Sequence, residues 1–326
     1  MPSSSPASPP ASDAASDAPT GAPTDLEQTL AAIVDRTRHL AAEGEVEDQP
    51  EELPSAEETR FALALSDLHG EESVSGDADV GFAVQSVVKV FALTAALQLV
   101  GEDLFERVGR EPSGDPFNSL IQLEHEKGLP RNPFINAGAL VVCDVLLAAA
   151  DDPFGAVAGL LADLTGEEAR VDGTALDAER ESSSLNRAIG HLMHSFGNVH
   201  HPVDEVVDLY LRLCSLTVTT RTLARAARWL ANDGVDPRTG TPVLSEPLAR
   251  RVNALMLTCG TYDAAGQFAY DLGFPCKSGV AGAVMGDVPG RFGICAWSPP
   301  LDDKGNSRAG RAALHLLSEQ LDLSLL

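Results

Sequence analysis

Apolar residues recur at helical spacing through most of the chain, and strand-like alternation is found mainly near its two ends. The spacing over residues 26–40 predicts an amphipathic helix, which Thr24 and Asp25 would cap. Alternation over 61–66 predicts a strand that turns at 68–70 and returns over 79–84. The sequence therefore predicts a β-hairpin that leads directly into an apolar helix beginning at Ser86.

The middle of the chain is predicted to be mostly helical. Helices are expected at residues 138–150, 155–164, 186–196, 202–213, 220–231 and 246–259. Strand patterns return at 270–274, 279–288 and 292–297, and a closing helix follows at 307–321. Because strands lie at both chain ends with helices between them, we expect an α+β fold in which one antiparallel sheet is built from both ends and a helical domain is inserted.

Composition changes along the chain and suggests its domain organisation. Residues 1–23 are rich in Ser, Pro, Ala and Asp, with almost nothing to bury, and predict a disordered acidic tail. Residues 44–59 are acidic and contain prolines, which is typical of a loop. We therefore expect a single domain over 24–326, with a sheet part at about 55–85 and 265–326 and a helical part at about 86–264.

The overall composition is that of a globular protein, at 44% apolar and 22% charged residues. No apolar run approaches the roughly 20 residues that span a bilayer, and the N-terminus lacks a signal-peptide pattern. We expect a cytoplasmic protein without a membrane partner. The net charge of −25 argues against nucleic acid as a partner. An acidic surface adapted to high salt and an Ala- and Arg-rich composition with ordinary salt behaviour explain this charge equally well.

The cysteines give no sign of a metal site or a disulfide framework. They are five in number and widely scattered, without a Cys-x-x-Cys pair or a zinc-like His/Cys spacing. We therefore expect reduced, mostly buried thiols and no bound metal at Cys143, Cys214, Cys259, Cys276 and Cys295.

Ser86 and Lys89 form the first candidate for chemistry. Two residues three apart at a helix start share a face, so the lysine amine can reach the serine hydroxyl. A lysine acts as a base only where its surroundings disfavour the ammonium form, and the adjacent valines and Phe91 are apolar. The chain has four lysines and nineteen arginines, and arginine cannot fill this role. On the motif alone, a serine here is usually only a helix cap. The scarcity of lysine strengthens the hypothesis of a nucleophile and its base.

A second lysine motif, Lys277-Ser278-Gly279, follows a strand-like stretch late in the chain. A small hydroxyl residue and a glycine at a strand edge let a substrate approach the backbone, with a cation alongside. Alone, the motif is more typical of a turn with one exposed lysine. Together with the early Ser-x-x-Lys, it reproduces the order of motifs in penicillin-recognising serine hydrolases.

Ordered blocks of sequence resemble a narrower family, the serine-dependent glutaminases. The blocks are 85–91 (QSVVKVF), 109–114 (GREPSG), 117–120 (FNSL), 131–139 (RNPFINAGA), 195–198 (SFGN), 213–216 (LCSL), 260–263 (GTYD), 277–280 (KSGV), 298–302 (SPPLD) and 305–307 (GNS). The resemblance implies the β-lactamase-like fold of penicillin-binding serine hydrolases. It also implies hydrolysis of L-glutamine to L-glutamate and ammonia through an acyl-enzyme, with no cofactor, in a homodimer or homotetramer.

The resemblance also assigns roles to individual positions. Ser86 matches the family's nucleophile, Lys89 its activating base, and Tyr262 a tyrosine that is a candidate for proton transfer. The backbone amides of Ser86 and Val280 match the oxyanion hole. The positions that match substrate contacts are Ser86, Asn136, Glu179, Asn186, Tyr210, Tyr262 and Val280.

These residue types suit glutamine. Glu179 is a natural partner for the substrate's ammonium group, and the amides of Asn136 and Asn186 with the Tyr210 hydroxyl can bind its carboxylate. Two alternatives remain open: a β-lactamase or esterase on the same framework, and a glutamine-binding homologue that has lost activity. Two departures from the family are present. Gln49 stands where a tyrosine followed by Ile-Pro is usual, and residues 183–185 replace the usual Gly-Asp-Arg before the asparagine.

Overall fold

The computed structural model describes residues 25–42, 60–113 and 120–326. Its strands are β1 (Ala62–Asp67), β2 (Glu72–Gly76), β3 (Phe82–Ala83), β4 (Thr217–Val218), β5 (Cys276–Ser278), β6 (Ala283–Val288) and β7 (Phe292–Trp297). Five of them form an antiparallel sheet in the order β2-β1-β7-β6-β5. Strands from the two chain ends pair directly, with Leu65 opposite Ile294. The predicted sheet built from both ends is confirmed.

Helices make up most of the remaining described residues. They are α1 (Asp25–Thr37), α2 (Val88–Val100), α3 (Leu120–His125), α4 (Asn136–Ala149), α5 (Pro153–Thr165), α6 (Gly173–Glu181), α7 (Ser184–Ser195), α8 (Val203–Cys214), α9 (Thr220–Ala226), α10 (Arg228–Ala231), α11 (Glu246–Cys259), α12 (Ala265–Leu272) and α13 (Arg308–Leu321). The predicted helices in the middle of the chain and at both its ends are confirmed. None of the helices in the described ranges has the length and apolar character needed to cross a bilayer.

The sheet separates two hydrophobic cores because successive strand residues point to opposite faces. On β1, Leu63 and Leu65 pack into one core, together with side chains of α1, α12 and α13. Ala62 and Ala64 point into the other core, which includes the inserted helices. A Cβ atom on Gly293 of β7 would lie 2.1 Å from the Ala224 carbonyl oxygen, so only glycine lets α9 approach the sheet this closely.

The predicted hairpin between residues 61–66 and a returning strand at 79–84 is wrong. The chain reverses at Gly70, which has a φ of 95°, and pairs at once with β1 as β2, at residues Glu72–Gly76. This edge strand contains only one apolar side chain, Val74, so its alternation is nearly invisible in the sequence. Phe82–Ala83 instead pairs with Thr217–Val218 in a separate two-stranded ladder.

The predicted strand at 270–274 is also wrong. Its first residues end helix α12, whose buried Phe268 and Leu272 are four residues apart, and Gly273 stops the helix with a φ of 70°. The predicted strand at 279–288 begins only at Ala283, because a turn at Gly282 separates it from β5. The sequence pattern did not predict helix α6, because this helix is polar and buries only Ala175.

Several sequence expectations lie outside the described residues. They are the disordered tail at 1–23, the acidic loop at 44–59 with Gln49, and part of the family motif at 117–120. They stay predictions.

Candidate active site

Ser86 and Lys89 lie where the sheet part of the chain passes into the helical part. Ser86 occupies a single turn of 3-10 helix, Gln85–Val87, that continues directly into α2. Ser86 is 7% exposed and Lys89 only 2%, because the first turns of α2 are apolar and buried on all sides. The alternative that Ser86 only caps the helix does not hold, since Ser86 precedes α2 by two positions and its side chain does not cap the helix.

The surroundings of Lys89 disfavour its charged form. Burial lowers the pKa of Lys89 from its ordinary 10.5 to about 8, against small opposing effects of Cys214, Cys143 and Glu179. The Lys89 Nζ donates hydrogen bonds to the Phe134 carbonyl oxygen at 3.2 Å and to Asn136 Oδ1 at 2.7 Å. The amine is therefore both desolvated and held in a fixed direction.

Asn136 connects Lys89 to two more of the predicted residues. Its Oδ1 also accepts from the Tyr210 hydroxyl at 3.3 Å, and its Nδ2 donates to Asn186 Oδ1 at 3.0 Å. Asn136 is the first residue of α4, Tyr210 belongs to α8 and Asn186 to the first turn of α7. The structure thus brings together Lys89, Asn136, Asn186 and Tyr210 from four helices.

Tyr210 is more than a core residue. It is 4% exposed, and burial raises the pKa of its hydroxyl well above 10, so Tyr210 stays neutral. The Cys214 thiol and the Ser86 hydroxyl also influence this pKa, so both lie near the Tyr210 hydroxyl. Tyr210 is therefore close to the serine as well as to the chain of amides.

Glu179 lies on α6 and faces the same site. Its Oε1 accepts a hydrogen bond from Gln85 Nε2 at 2.7 Å. Gln85 has a φ of 48°, which is unusual for a residue with a side chain, and this backbone turn directs its amide toward α6. Gln85 was not among the predicted site residues. Its position beside the serine was the only available signal, and the motif alone does not show where the amide points.

The opposite wall of the site is formed by the end of β5. A Cβ atom on Gly279 would be 3.3 Å from the Ser86 backbone nitrogen, so this glycine brings the strand end against the serine. The side chains of Val280 and Tyr262 both lie within 4 Å of the position that a Cβ atom on Gly305 would take. The backbone of Gly305 has a φ of 79°. The Tyr262 hydroxyl donates to the Ser278 carbonyl oxygen at 3.4 Å. The eight residues predicted for the site therefore lie in one region.

The thiols near the site are unreactive. All five cysteines are buried and free, as predicted. Burial raises the pKa of Cys143 and raises that of Cys214 to about 12, so both remain neutral thiols beside Lys89. Within the described ranges, no group of His, Cys, Asp and Glu side chains could hold a metal ion.

Comparison with known proteins assigns this arrangement to a family. The model of the glutaminase family matches residues 44–326, which include every element of the site. The chain belongs to the glutaminase family. A glutaminase from Ralstonia nicotianae is 50% identical over 277 residues, covering 84% of this chain and 91% of that protein.

Solved glutaminase structures share the fold. The crystal structure of a probable glutaminase from Bacillus subtilis has a TM-score of 0.86 at 32% identity, covering 93% of this chain and 98% of that one. A second, with a TM-score of 0.82 at 28% identity, covers 93% of this chain and 100% of that one. It is the covalent complex of a Bacillus subtilis glutaminase with 5-oxo-L-norleucine, formed by reaction with 6-diazo-5-oxo-L-norleucine. The predicted β-lactamase-like fold is confirmed.

Proposed function

We propose that this chain hydrolyses L-glutamine to L-glutamate and ammonia through an acyl-enzyme on Ser86, with Lys89 as the base. The observation that carries the mechanism is the hydrogen bonding of Lys89. A neutral amine has two N–H bonds and one lone pair, and the two acceptors Phe134 O and Asn136 Oδ1 engage both N–H bonds. The lone pair is then left for the proton of Ser86, one helical turn away.

The first half of the reaction transfers the glutamine side chain to the serine. Ser86 Oγ attacks the amide carbon while its proton passes to Lys89. Backbone N–H groups of Ser86 and Val280 bind the negative oxygen that forms, and each such donor stabilises the transition state by about 3–4 kcal/mol. The C–N bond then breaks as the nitrogen takes the proton from Lys89 through the Tyr262 hydroxyl, and ammonia leaves.

The second half releases glutamate. Water attacks the ester carbon and gives a proton to Lys89, the bond to Ser86 Oγ breaks, and the serine recovers its proton from Lys89. The same base therefore serves both halves, which requires a pKa near the working pH. A pKa of about 8 for Lys89 meets this requirement.

Recognition of glutamine uses the other side of the site. The Glu179 carboxylate is oriented by Gln85 and binds the substrate's ammonium group. Asn136 Nδ2 donates a hydrogen bond to the Asn186 side-chain oxygen, so the Asn186 amide nitrogen remains for the substrate carboxylate. The Tyr210 hydroxyl is a second, neutral donor to that carboxylate. These contacts require a free α-amino acid and disfavour a β-lactam or a simple ester.

The nucleophile is tested by Ser86→Ala. We expect ammonia release from glutamine to fall by on the order of 10⁴–10⁶-fold, as in other serine hydrolases, while Ser195→Ala on the surface of α7 keeps normal activity. The related glutaminase that reacts covalently with 6-diazo-5-oxo-L-norleucine supplies a second measurement. Mass spectrometry should show one adduct on the wild-type chain and none on Ser86→Ala. Full activity of Ser86→Ala, or hydrolysis of nitrocefin in preference to glutamine, would refute the assignment.

The setting of the reaction is proposed on the family resemblance. We expect a cytoplasmic homodimer or homotetramer that needs no cofactor, and no nucleic-acid or membrane partner. Light scattering of the purified protein measures the oligomeric state, and a monomeric mass would contradict the proposal.

A further inference from the structure

A second buried lysine lies beside the site, and the hydrolysis described above does not use it. Lys277 on β5 is fully buried, and the charged form of an amine is costly to bury. Burial holds the pKa of Lys277 well below its usual range, and the charge of Lys89 lowers it further, with only the Cys214 thiol opposing them. A group this costly to bury calls for a compensating role.

The amine of Lys277 lies near the Ser278 carbonyl group and the rings of Tyr262 and Phe134. Its Nζ donates a hydrogen bond to the Ser278 carbonyl oxygen at 2.5 Å, and the Tyr262 hydroxyl donates to the same oxygen at 3.4 Å. The Nζ also lies 4.7 Å from the centre of the Tyr262 ring. Two donors on separate elements therefore converge on one carbonyl group.

That carbonyl belongs to the peptide leading into the strand end that faces the serine. The following residue, Gly279, approaches the Ser86 nitrogen so closely that a Cβ atom would lie 3.3 Å from it. Val280, whose amide is the proposed second oxyanion donor, comes next. A rotation of the Ser278–Gly279 peptide would move both residues relative to Ser86.

Tyr262 also needs external support. Its φ of 54° is unfavourable for a residue with a side chain, so its backbone conformation must be held by its surroundings. The Ser278 nitrogen donates to the Gly260 carbonyl oxygen at 3.1 Å and fixes the backbone of this loop to β5. The Ser278 carbonyl group and the Lys277 amine contribute to holding the ring and hydroxyl.

We propose that Lys277 is a positioning residue for the hydrolysis: with the Tyr262 hydroxyl, its amine holds the Ser278 carbonyl and so fixes Tyr262 and the strand end that faces Ser86. The inference rests on the proposed function, which gives Tyr262 and Val280 their roles. Because Lys277 acts through the two groups that are given roles in the chemical step, and lies away from Glu179, its loss should lower kcat more than it raises KM.

The test replaces Lys277 with methionine, which keeps an unbranched side chain and removes the amine. We expect kcat to fall about 100-fold, on the scale of a lost oxyanion donor, while KM stays within about threefold. The variant should unfold at an equal or higher urea concentration, because an apolar group replaces a buried amine. Lys127→Met, at an exposed lysine of the helical part, should match the wild type in all three measurements.

A double-mutant cycle with Tyr262→Phe separates positioning from a general structural role. If both donors hold one carbonyl, the double variant should lose little more kcat than the more damaged single variant. Additive losses would overturn the proposal, as would a normal kcat in Lys277→Met or a loss confined to KM. Failure of both Lys277→Met and Lys277→Leu to fold would also overturn it, since the amine would then serve stability. Activity in Ser86→Ala refutes the proposed function itself, whereas a fully active Lys277→Met beside an inactive Ser86→Ala refutes only the role of Lys277.

Discussion

At the scale of single residues, Lys89 illustrates how burial changes the chemistry that is open to a common side chain. In water, a lysine at neutral pH is almost entirely protonated and cannot accept a proton from serine. Inside the chain, the first turns of α2 remove water from the amine, and Asn136 and Phe134 bind its two N–H bonds without adding charge. Arginine at this position would keep its proton, so we expect Lys89→Arg to be nearly inactive.

The pH dependence of activity follows from this lysine. In the proposed mechanism its neutral form is the base, and burial lowers its pKa to about 8. Activity is therefore expected to be low when Lys89 is protonated, so kcat/KM should rise about tenfold per pH unit up to pH 7 and level off above about pH 8. Initial rates between pH 5.5 and 8.5 measure the profile, with circular dichroism confirming that the fold is intact. A flat profile across this range would exclude Lys89 as the titrating base.

Glu179 should determine which amides are accepted. Replacing Glu179 with glutamine removes the charge that we propose pairs with the substrate's ammonium group. It keeps the shape of the side chain and an acceptor for Gln85. We expect kcat/KM for glutamine to fall about 100-fold, on the scale of a lost charged hydrogen bond of about 1.5–3 kcal/mol. The 4-carbamoylbutanoate ion, which is glutamine without its amino group, is the matched substrate and should lose little. Equal losses for the two substrates would contradict a role in ammonium recognition.

At the scale of secondary-structure elements, the site is assembled where elements begin or end. Asn136 starts α4, Glu179 is near the end of α6, and Asn186 is in the first turn of α7. Some backbone N–H and C=O groups at such ends make no hydrogen bond within the element, and side chains there point toward neighbouring elements. The relative placement of these ends depends on contacts between helices, including a buried carboxylate on α4.

Asp144 is that carboxylate, and it should contribute strongly to stability. It is fully buried and accepts hydrogen bonds from Arg107 at 2.5 Å and from the backbone and ring of His201. Asp144→Ala should lower the free energy of unfolding by about 3–5 kcal/mol, because Arg107 and the amides are left unpaired. Urea unfolding measures the loss, and Glu168→Gln, in an exposed pair with Arg170, should change it by less than about 1 kcal/mol.

The same carboxylate predicts how stability depends on pH. Hydrogen bonds from Arg107 and His201 outweigh burial and hold the pKa of Asp144 below its ordinary 3.8. The folded state therefore binds this proton less readily than the unfolded state. The contribution of Asp144 is complete above pH 3.8 and is lost as pH falls below it. The difference in stability between wild type and Asp144→Ala should accordingly shrink on acidification, and a constant difference would contradict this.

At the scale of the whole molecule, the net charge of −25 is the dominant electrostatic feature. Repulsion among like charges destabilises a compact state, and salt screens it, with a Debye length of about 10 Å at 0.1 M and about 3 Å at 1 M. Two of the four lysines, Lys89 and Lys277, are buried in the site and lie apart from the acidic surface.

Stability should therefore increase with salt. We expect the midpoint of thermal unfolding at pH 8 to rise between 0.05 and 1 M NaCl. The control is the same titration at about pH 5, where the net charge is smaller and the rise should be weaker. A midpoint that falls with NaCl at pH 8 would show that screening of attractive ion pairs dominates. Activity that persists at molar salt would favour the salt-adapted explanation of the composition, and a sharp loss would favour the ordinary one.

The sequence by itself determined the family and the general architecture, and it predicted which groups form the site. Helices such as α4 and α8 were predictable because burial of one stripe imposes a periodic pattern on the chain. Ser86 and Lys89 were predictable because their spacing alone places them on one face. The polar edge strand β2 and the polar helix α6 were missed, since neither buries enough apolar surface to leave a pattern.

Only the tertiary structure decided how these groups act together. The bonds from Lys89 to Asn136 and from Gln85 to Glu179 join residues that are 47 and 94 positions apart, a separation at which local sequence carries no information on distance. Burial likewise depends on every element that packs around a residue, so the lowered pKa of Lys89 and the placement of Lys277 beside Tyr262 follow from the assembled fold. The chain's residue types set the available chemistry, and packing decides which side chains are shielded from water, neutral and close enough to react.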